Sequence, residues 1–233
     1  MANKILVLGD PGSGKTIAAQ HLDPKEVFYI CCDGKGLPFK GWKTNYKTIK
    51  NENGKLNLKE SNYYETDNYD VIHSIITAVD KTKLETKVII IDTITACMEE
   101  EFMTRIKENG FAKFDDSALH TYKLLSLKAK DYREDLTIII LAHTDDNYDS
   151  DGVLKSSFKV IGGKIMRDKI VAESKFNYVL TTEVIMENDV PHYYFLTQNT
   201  GKKTSRSPLG VFTELRIPND YKKLLETIKK FEE

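Results

Sequence analysis

Four short runs constrain this chain more than any other feature: "KILVLGD" at 4–10, "VFYICCD" at 27–33, "KVIIID" at 87–92 and "LTIIILAH" at 136–143. Each has the length of a strand and stays apolar until its end. A strand with one wet face alternates apolar and polar residues. These runs do not, so they predict a parallel sheet covered on both faces. The segments between them have helical length, at 15–22, at 68–82 (opening at Thr66 or Asp67), at 95–108 and at 116–133. The last third changes character. Residues 176–199 read as two strands joined by a polar turn, "GVFTEL" at 210–215 reads as a further strand, and 219–232 reads as an amphipathic helix. The expected fold class is α/β, a mostly parallel central sheet flanked by helices with a C-terminal antiparallel hairpin extension. No repeat or linker divides the 233 residues, so 1–233 is read as one domain. Within it, 35–66 is an insertion-like basic segment and 176–215 is the hairpin extension.

The first run leads directly into a loop from Gly9 to Thr16, "GDPGSGKT". It fits G-x-x-x-x-G-K-[ST], placed between a strand and a helix as phosphate binding requires. Glycines let the backbone wrap a phosphate chain and present N–H donors to it. Asp10, Pro11, Gly12, Ser13, Gly14, Lys15, Thr16 and Ile17 are the expected nucleotide contacts. Lys15 reaches the β- and γ-phosphates as a point charge, and the Thr16 hydroxyl serves Mg²⁺. Asp92, closing the apolar run "VIIID", is expected to hold the Mg²⁺ through water. ATP and Mg²⁺ are therefore the expected cofactors.

Hydrolysis needs a group that positions the attacking water and one that senses the γ-phosphate. His143 ends the fourth run, where such a sensor belongs. A long polar stretch follows it, 144–161, read as a mobile loop that ends in Gly162-Gly163-Lys164 before the amphipathic "IMRDKIVAE".

In this order (GDPGSGKT, VIIIDT, a strand ending in His, a polar stretch into GGK, then a hairpin and the basic "GKKTSRSP") the chain resembles the RecA-like core ATPases. It most resembles the short phage versions related to Sak-type single-strand annealing proteins, over roughly residues 3–215. The resemblance implies ATP and Mg²⁺, action on single-stranded DNA in recombination, annealing or repair, and a phage gene. It also implies a homo-oligomer whose active site is shared, with Lys202, Lys203 and Arg206 reaching the neighbour's γ-phosphate. One departure concerns the base. RecA-like enzymes carry Glu in a D-x-E pattern after the second strand, and here Asp33-Gly34-Lys35 puts Lys35 in that place. Asp33 is left as the candidate base, with Glu99 to Glu101 as alternatives, and slow hydrolysis is expected.

Residues 35–59 hold seven lysines and one acid, Glu52, interleaved with Phe39, Trp42 and Tyr46. Lysines on phosphates and aromatics under bases hold single strands without sequence preference. The bland alternative is a surface insertion whose aromatics pack inward. A net charge of −1 gives no overall basic field, so any such binding is local. A small P-loop kinase is a weaker fit, since its lid is usually arginine-rich and the chain has only Arg105, Arg133, Arg167, Arg206 and Arg216. A non-catalytic ATP-dependent switch is the other rival, and Lys35 favours it. Cys31, Cys32 and Cys97 lack metal-ligand spacing and read as reduced core thiols. With no run of 18 apolar residues, a cytoplasmic protein without membrane contact is expected, in the host cytoplasm if phage-encoded.

Overall fold

The structure, a computed structural model, describes residues 2–148, 150–161 and 171–233. The four apolar runs become parallel strands β1 (Asn3–Leu8), β2 (Val27–Cys31), β4 (Val88–Asp92) and β5 (Thr137–Ala142), almost wholly buried. A short parallel strand, β3 (Tyr63–Glu65), adds to β2. The predicted hairpin forms as β8 (Tyr178–Glu187) and β9 (Val190–Leu196). Its turn residues Asn188 and Asp189 have φ of 50° and 63°, the left-handed values a two-residue hairpin turn demands. With β10 (Arg216–Pro218), the sheet runs β10-β9-β8-β1-β5-β4-β2-β3. β1 lies parallel to both β5 and β8, so β5 separates the phosphate loop's strand from the strand that ends in Asp92. The mostly parallel α/β sheet with a C-terminal antiparallel extension, as expected, is thus present.

Helices cover both faces. α2 (Tyr69–Thr82), α3 (Ile94–Thr104) and α4 (Ala112–Leu125) pack on one, and α5 (Tyr221–Glu232) packs on the other. Cys31 and Cys32 fall into opposite layers, as neighbours in a strand must. Asn68 caps α2, accepting from the amides of Asp70 and Val71, so the helix opens later than Thr66 or Asp67. α4 stops well before residue 133. Lys4 of β1 donates its ammonium to the carbonyls of Leu125 and Leu127, a cation at a helix C-terminus, and only a 3₁₀ turn at Ala129–Asp131 follows.

Three further expectations need correction. The segment after the phosphate loop is a 3₁₀ helix, Ile17–His21, rather than an α-helix over 15–22. Leu22 is already extended, at ψ 147°, and Pro24 disfavours the α conformation at Asp23, so the segment stops short. "GVFTEL" is not a strand: Gly210 turns at φ +89°, and pairing to β9 begins only at Arg216. The polar stretch after His143 is no loop. It forms a second sheet, β6 (Thr144–Tyr148) against β7 (Leu154–Phe158), turning through Gly152 at φ +74°. Its side chains are polar on both faces of β6, so the alternation that signals a strand was missing. Gly162-Gly163-Lys164 and the segment through residue 170 lie outside the described residues. Among the described residues, no helix is long and apolar enough to cross a membrane.

Candidate functional site

The loops leaving the C-terminal ends of β1, β2, β4 and β5 enclose a cavity of about 490 Å³. Ligands of open α/β sheets bind at that edge. Lys15, Thr16, Asp33, Lys35, Asp92 and His143 all line it, together with Pro11, Gly12, Gly14 and Ile17. Four separate readings of the sequence, the phosphate loop, Asp33-Gly34-Lys35, Asp92 and His143, therefore meet in one place. Asp10 and Ser13 do not line it. They brace the loop instead: Thr144 donates to Asp10 Oδ1, and the Ser13 hydroxyl bonds that of Thr182 over 2.6 Å.

The loop's glycines are required by its surroundings. A Cβ on Gly9 would fall 1.8 Å from Thr182 Oγ1, and one on Gly14 would fall 2.2 Å from Asn219 Nδ2 and 2.8 Å from the Tyr193 ring. Gly12 and Gly14 also hold φ of +78° and +97°. From behind, Asn219 Nδ2 donates to the Gly14 carbonyl over 3.1 Å and the Tyr221 hydroxyl to that of Lys15 over 2.8 Å. The C-terminal helix thus holds the phosphate loop in place.

Lys15 is only 5% exposed, and its ammonium donates to the carbonyls of Gly9 (2.7 Å) and Asp10 (2.9 Å). Burial pushes its pKa down to about 8, against the pull of Asp92 and Asp10, so it carries its charge at pH 7. Asp92 is equally buried. Its Oδ2 accepts from the Thr16 hydroxyl at 2.6 Å and from the Tyr29 hydroxyl at 2.5 Å. Burial raises its pKa, while those two hydrogen bonds and Lys15 hold it down. A buried carboxylate bonded to a hydroxyl beside a phosphate loop is a hard-oxygen pair that suits Mg²⁺.

Asp33 faces the cavity, but Lys35 Nζ lies 3.1 Å from its Oδ2, an ion pair within the candidate catalytic stretch. Of the alternative acids, Glu101 bonds His120 (2.8 Å) and Arg105 (3.5 Å) away from the cavity. Glu99 pairs with Lys159 at 3.8 Å and acts electrostatically on His143. The backbone of His143 is fixed at both ends: its N–H donates to Thr95 Oγ1 (2.9 Å), and its carbonyl accepts from Lys159 (3.0 Å). Burial, then Lys15, lowers its pKa, so the imidazole is neutral at pH 7.

Lys202, Lys203 and Arg206 do not line this cavity. Lys203 Nζ donates to the Thr182 carbonyl (3.4 Å), and the Lys202 carbonyl accepts from Ser156 of β7. Arg206 pairs through its backbone with Val179 while its side chain is exposed. The aromatics of 35–59 pack inward, as the bland alternative had it. Tyr46 is buried edge-on to Tyr29 (6.1 Å), Phe39 abuts Tyr46 (6.0 Å), and Trp42 leans on Tyr63 (5.6 Å). All seven lysines remain exposed. Cys31, Cys32 and Cys97 are buried and form no disulfide.

Sequence reasoning missed Tyr29, Thr182, Tyr193, Asn219 and Tyr221. Only Tyr29 left a trace, as a hydroxyl inside a strand buried on both faces, which must find a partner.

The AAA domain family matches residues 1–209. No curated protein matches. Among solved structures, a KaiC-like protein from the hyperthermophilic archaeon Pyrococcus horikoshii is similar at 14% identity, over 88% of this chain and 81% of that one, with a TM-score of 0.42.

Proposed function

The chain belongs to the AAA domain family, and on that premise we propose that it is an Mg²⁺-dependent ATPase acting on single-stranded DNA in recombination, annealing or repair. The observation that carries the ATPase reading is the meeting of Lys15, Thr16, Asp92 and His143 on one cavity at the sheet's C-terminal edge. Loop amides and Lys15 bind the phosphates. Thr16 and Asp92 hold Mg²⁺, which when bound neutralises charge on the β- and γ-phosphates. Neutral His143 can donate to a γ-phosphate oxygen and report its loss through β6, whose first residue, Thr144, bonds the phosphate loop at Asp10. Asp33 is the candidate base, restrained by Lys35.

Support for DNA comes from the seven exposed lysines of 35–59. With the aromatics turned inward, they would bind backbone phosphates rather than stack bases, so affinity should depend steeply on salt. The RecA-like resemblance adds a homo-oligomer in which Lys202, Lys203 and Arg206 serve a neighbouring site, and a phage origin. The Asp33–Lys35 ion pair favours one second reading, a switch that binds ATP without turning it over.

ATP hydrolysis measured with and without single-stranded DNA separates these readings. Stimulation supports the proposal. ATP binding without turnover in either condition leaves the switch, and no ATP binding ends both. Replacing Lys40, Lys43 and Lys47 with Ala should flatten the log–log salt dependence of DNA binding by roughly 0.7 per lost phosphate contact. An unchanged slope would move the DNA contact elsewhere.

A further inference from the structure

Tyr29 sits in the middle of β2, fully buried, and it is one of the largest side chains with no exposure. Most buried residues of β1, β2, β4 and β5 are aliphatic, so a phenol hydroxyl among them must find a partner. Its hydroxyl donates to Asp92 Oδ2 over 2.5 Å, the same oxygen that accepts from Thr16 over 2.6 Å. The two donors come from different elements, β2 and the phosphate loop. Together they fix the carboxylate's rotation and leave Oδ1 as its other face.

The Tyr29 ring is itself held. Tyr63 of β3 stacks on it at 6.3 Å and 25°, and Tyr46 meets it edge-on at 6.1 Å and 81°. Each of those has an outer support, Trp42 against Tyr63 and Phe39 against Tyr46. Gly36 makes room for the Trp42 indole, since a Cβ there would lie 2.6 Å from it. The inward-facing aromatics of the basic segment, with Tyr63, therefore form a continuous shell around the Tyr29 ring, whose hydroxyl bonds Asp92.

We infer that Tyr29 is a positioning residue for the metal-holding carboxylate, and that residues 36–63 are the aromatic frame that keeps its hydroxyl on Asp92. The inference rests on the reading of Asp92 as a ligand of Mg²⁺. Partners that orient a metal ligand typically change metal affinity by about 10- to 100-fold when removed.

Tyr46 supplies a matched control. Its hydroxyl is buried without a hydrogen-bond partner among the described residues, so Tyr46→Phe makes the same chemical change without touching Asp92. The readout is Mn²⁺ binding to the protein–ADP complex, followed by electron paramagnetic resonance of free Mn²⁺, beside ADP affinity in EDTA and the thermal midpoint. Tyr29→Phe is expected to weaken Mn²⁺ binding about tenfold or more while ADP affinity in EDTA stays as in the wild type. Tyr46→Phe is expected to leave both alone. Trp42→Ala, which loosens the frame without removing the hydroxyl, should weaken Mn²⁺ by a smaller factor. Unchanged Mn²⁺ affinity in Tyr29→Phe, or equal weakening in Tyr46→Phe, overturns the positioning role and leaves the Mg²⁺ site standing. If the wild-type chain binds ADP but no Mn²⁺, the reading of Asp92 fails and the inference fails with it.

Discussion

Thr16 and Asp92, 76 positions apart in the chain, share a hydrogen bond of 2.6 Å at the C-terminal edge of the sheet. The sheet order makes that contact possible. β1 and β4 are not neighbours but flank β5, so the loop after β1 must reach across the end of β5 to touch the carboxylate of β4. His143 directly follows β5, placed between them. Three candidate groups from three strands therefore meet without any long side chain having to stretch.

Asp92→Asn keeps the size of the side chain and its ability to accept from Thr16 and Tyr29, but removes the charge that would hold a cation. A bound metal ion contributes several kcal/mol of transition-state stabilisation. The variant should therefore lose Mg²⁺-dependent turnover by at least about 100-fold, with its thermal midpoint near that of the wild type. Phosphate release measured across a Mg²⁺ titration checks this. Turnover within a few-fold of wild type would remove Asp92 from the metal site.

Asp33 and Lys35 make the next case. Lys35 is 78% exposed on its side chain, so the ion pair is well solvated and worth at most about 1 kcal/mol. It restrains Asp33 without disabling it. Basal turnover should lie below the roughly 1–100 s⁻¹ typical of kinases, rise a few-fold in Lys35→Ala, and fall in Asp33→Asn. If Lys35→Ala slows the reaction instead, the lysine contributes to phosphate binding and Asp33 is not the base it restrains.

The fold and the inner part of this site were legible for one reason. Parallel strands buried on both faces write themselves as uninterrupted apolar runs, and Asp33, Asp92 and His143 each stand at a run's last residue. The phosphate loop was legible because its glycines answer to backbone geometry. The second sheet was not, because β6 carries polar side chains on both faces and draws its order from β7, whose Ser156 is tied in turn to Lys202 and Thr204. The outer support of the site was equally hidden. Asn219 and Tyr221 reach the loop from more than 200 positions away, a relation only the packed sheet creates. The aromatics of 35–59 misled by composition: rings among lysines suggest a nucleic-acid platform, but their partners, Tyr29 and Tyr63, lie in the core.

His143 gives a pH dependence whose sign is fixed. Burial, then Lys15, lowers its folded pKa below the usual 6.5, with Glu99 acting in the other direction and Lys159 and Lys35 in the same one. The unfolded chain therefore takes up the proton at a higher pH than the folded one. The stability due to neutral His143 is complete above pH 6.5 and is lost as pH falls through the lower folded value. A proton NMR titration, with His143→Asn to assign the resonance among the five histidines, should show His143 titrating below 6.5. Glu99→Gln should lower the midpoint further and Lys35→Ala should raise it. A midpoint above 6.5 would mean that a carboxylate, not burial, governs this imidazole.

Arg206 is the test of whether neighbouring subunits complete each other's sites. Its backbone is paired with Val179, which lies beside the middle of β1, and its exposed side chain does not line the cavity of its own chain. A guanidinium so placed does not reach the phosphate pocket of its own chain, and its exposure would let it meet that of another. An arginine supplied across an interface is worth roughly 10³ to 10⁵ in rate. Arg206→Ala should therefore be nearly inactive with its ATP affinity intact, and Lys15→Ala should be inactive because the nucleotide no longer binds. Mixed together, the two should recover part of the lost activity, since some interfaces then pair an intact phosphate loop with an intact Arg206. Native mass spectrometry must show that mixed oligomers form. If they form and the mixture stays as inactive as its components, or if Arg206→Ala alone hydrolyses ATP at the wild-type rate, the shared site is wrong. The basic turn at 202–206 would then be a surface contact for phosphates of another kind.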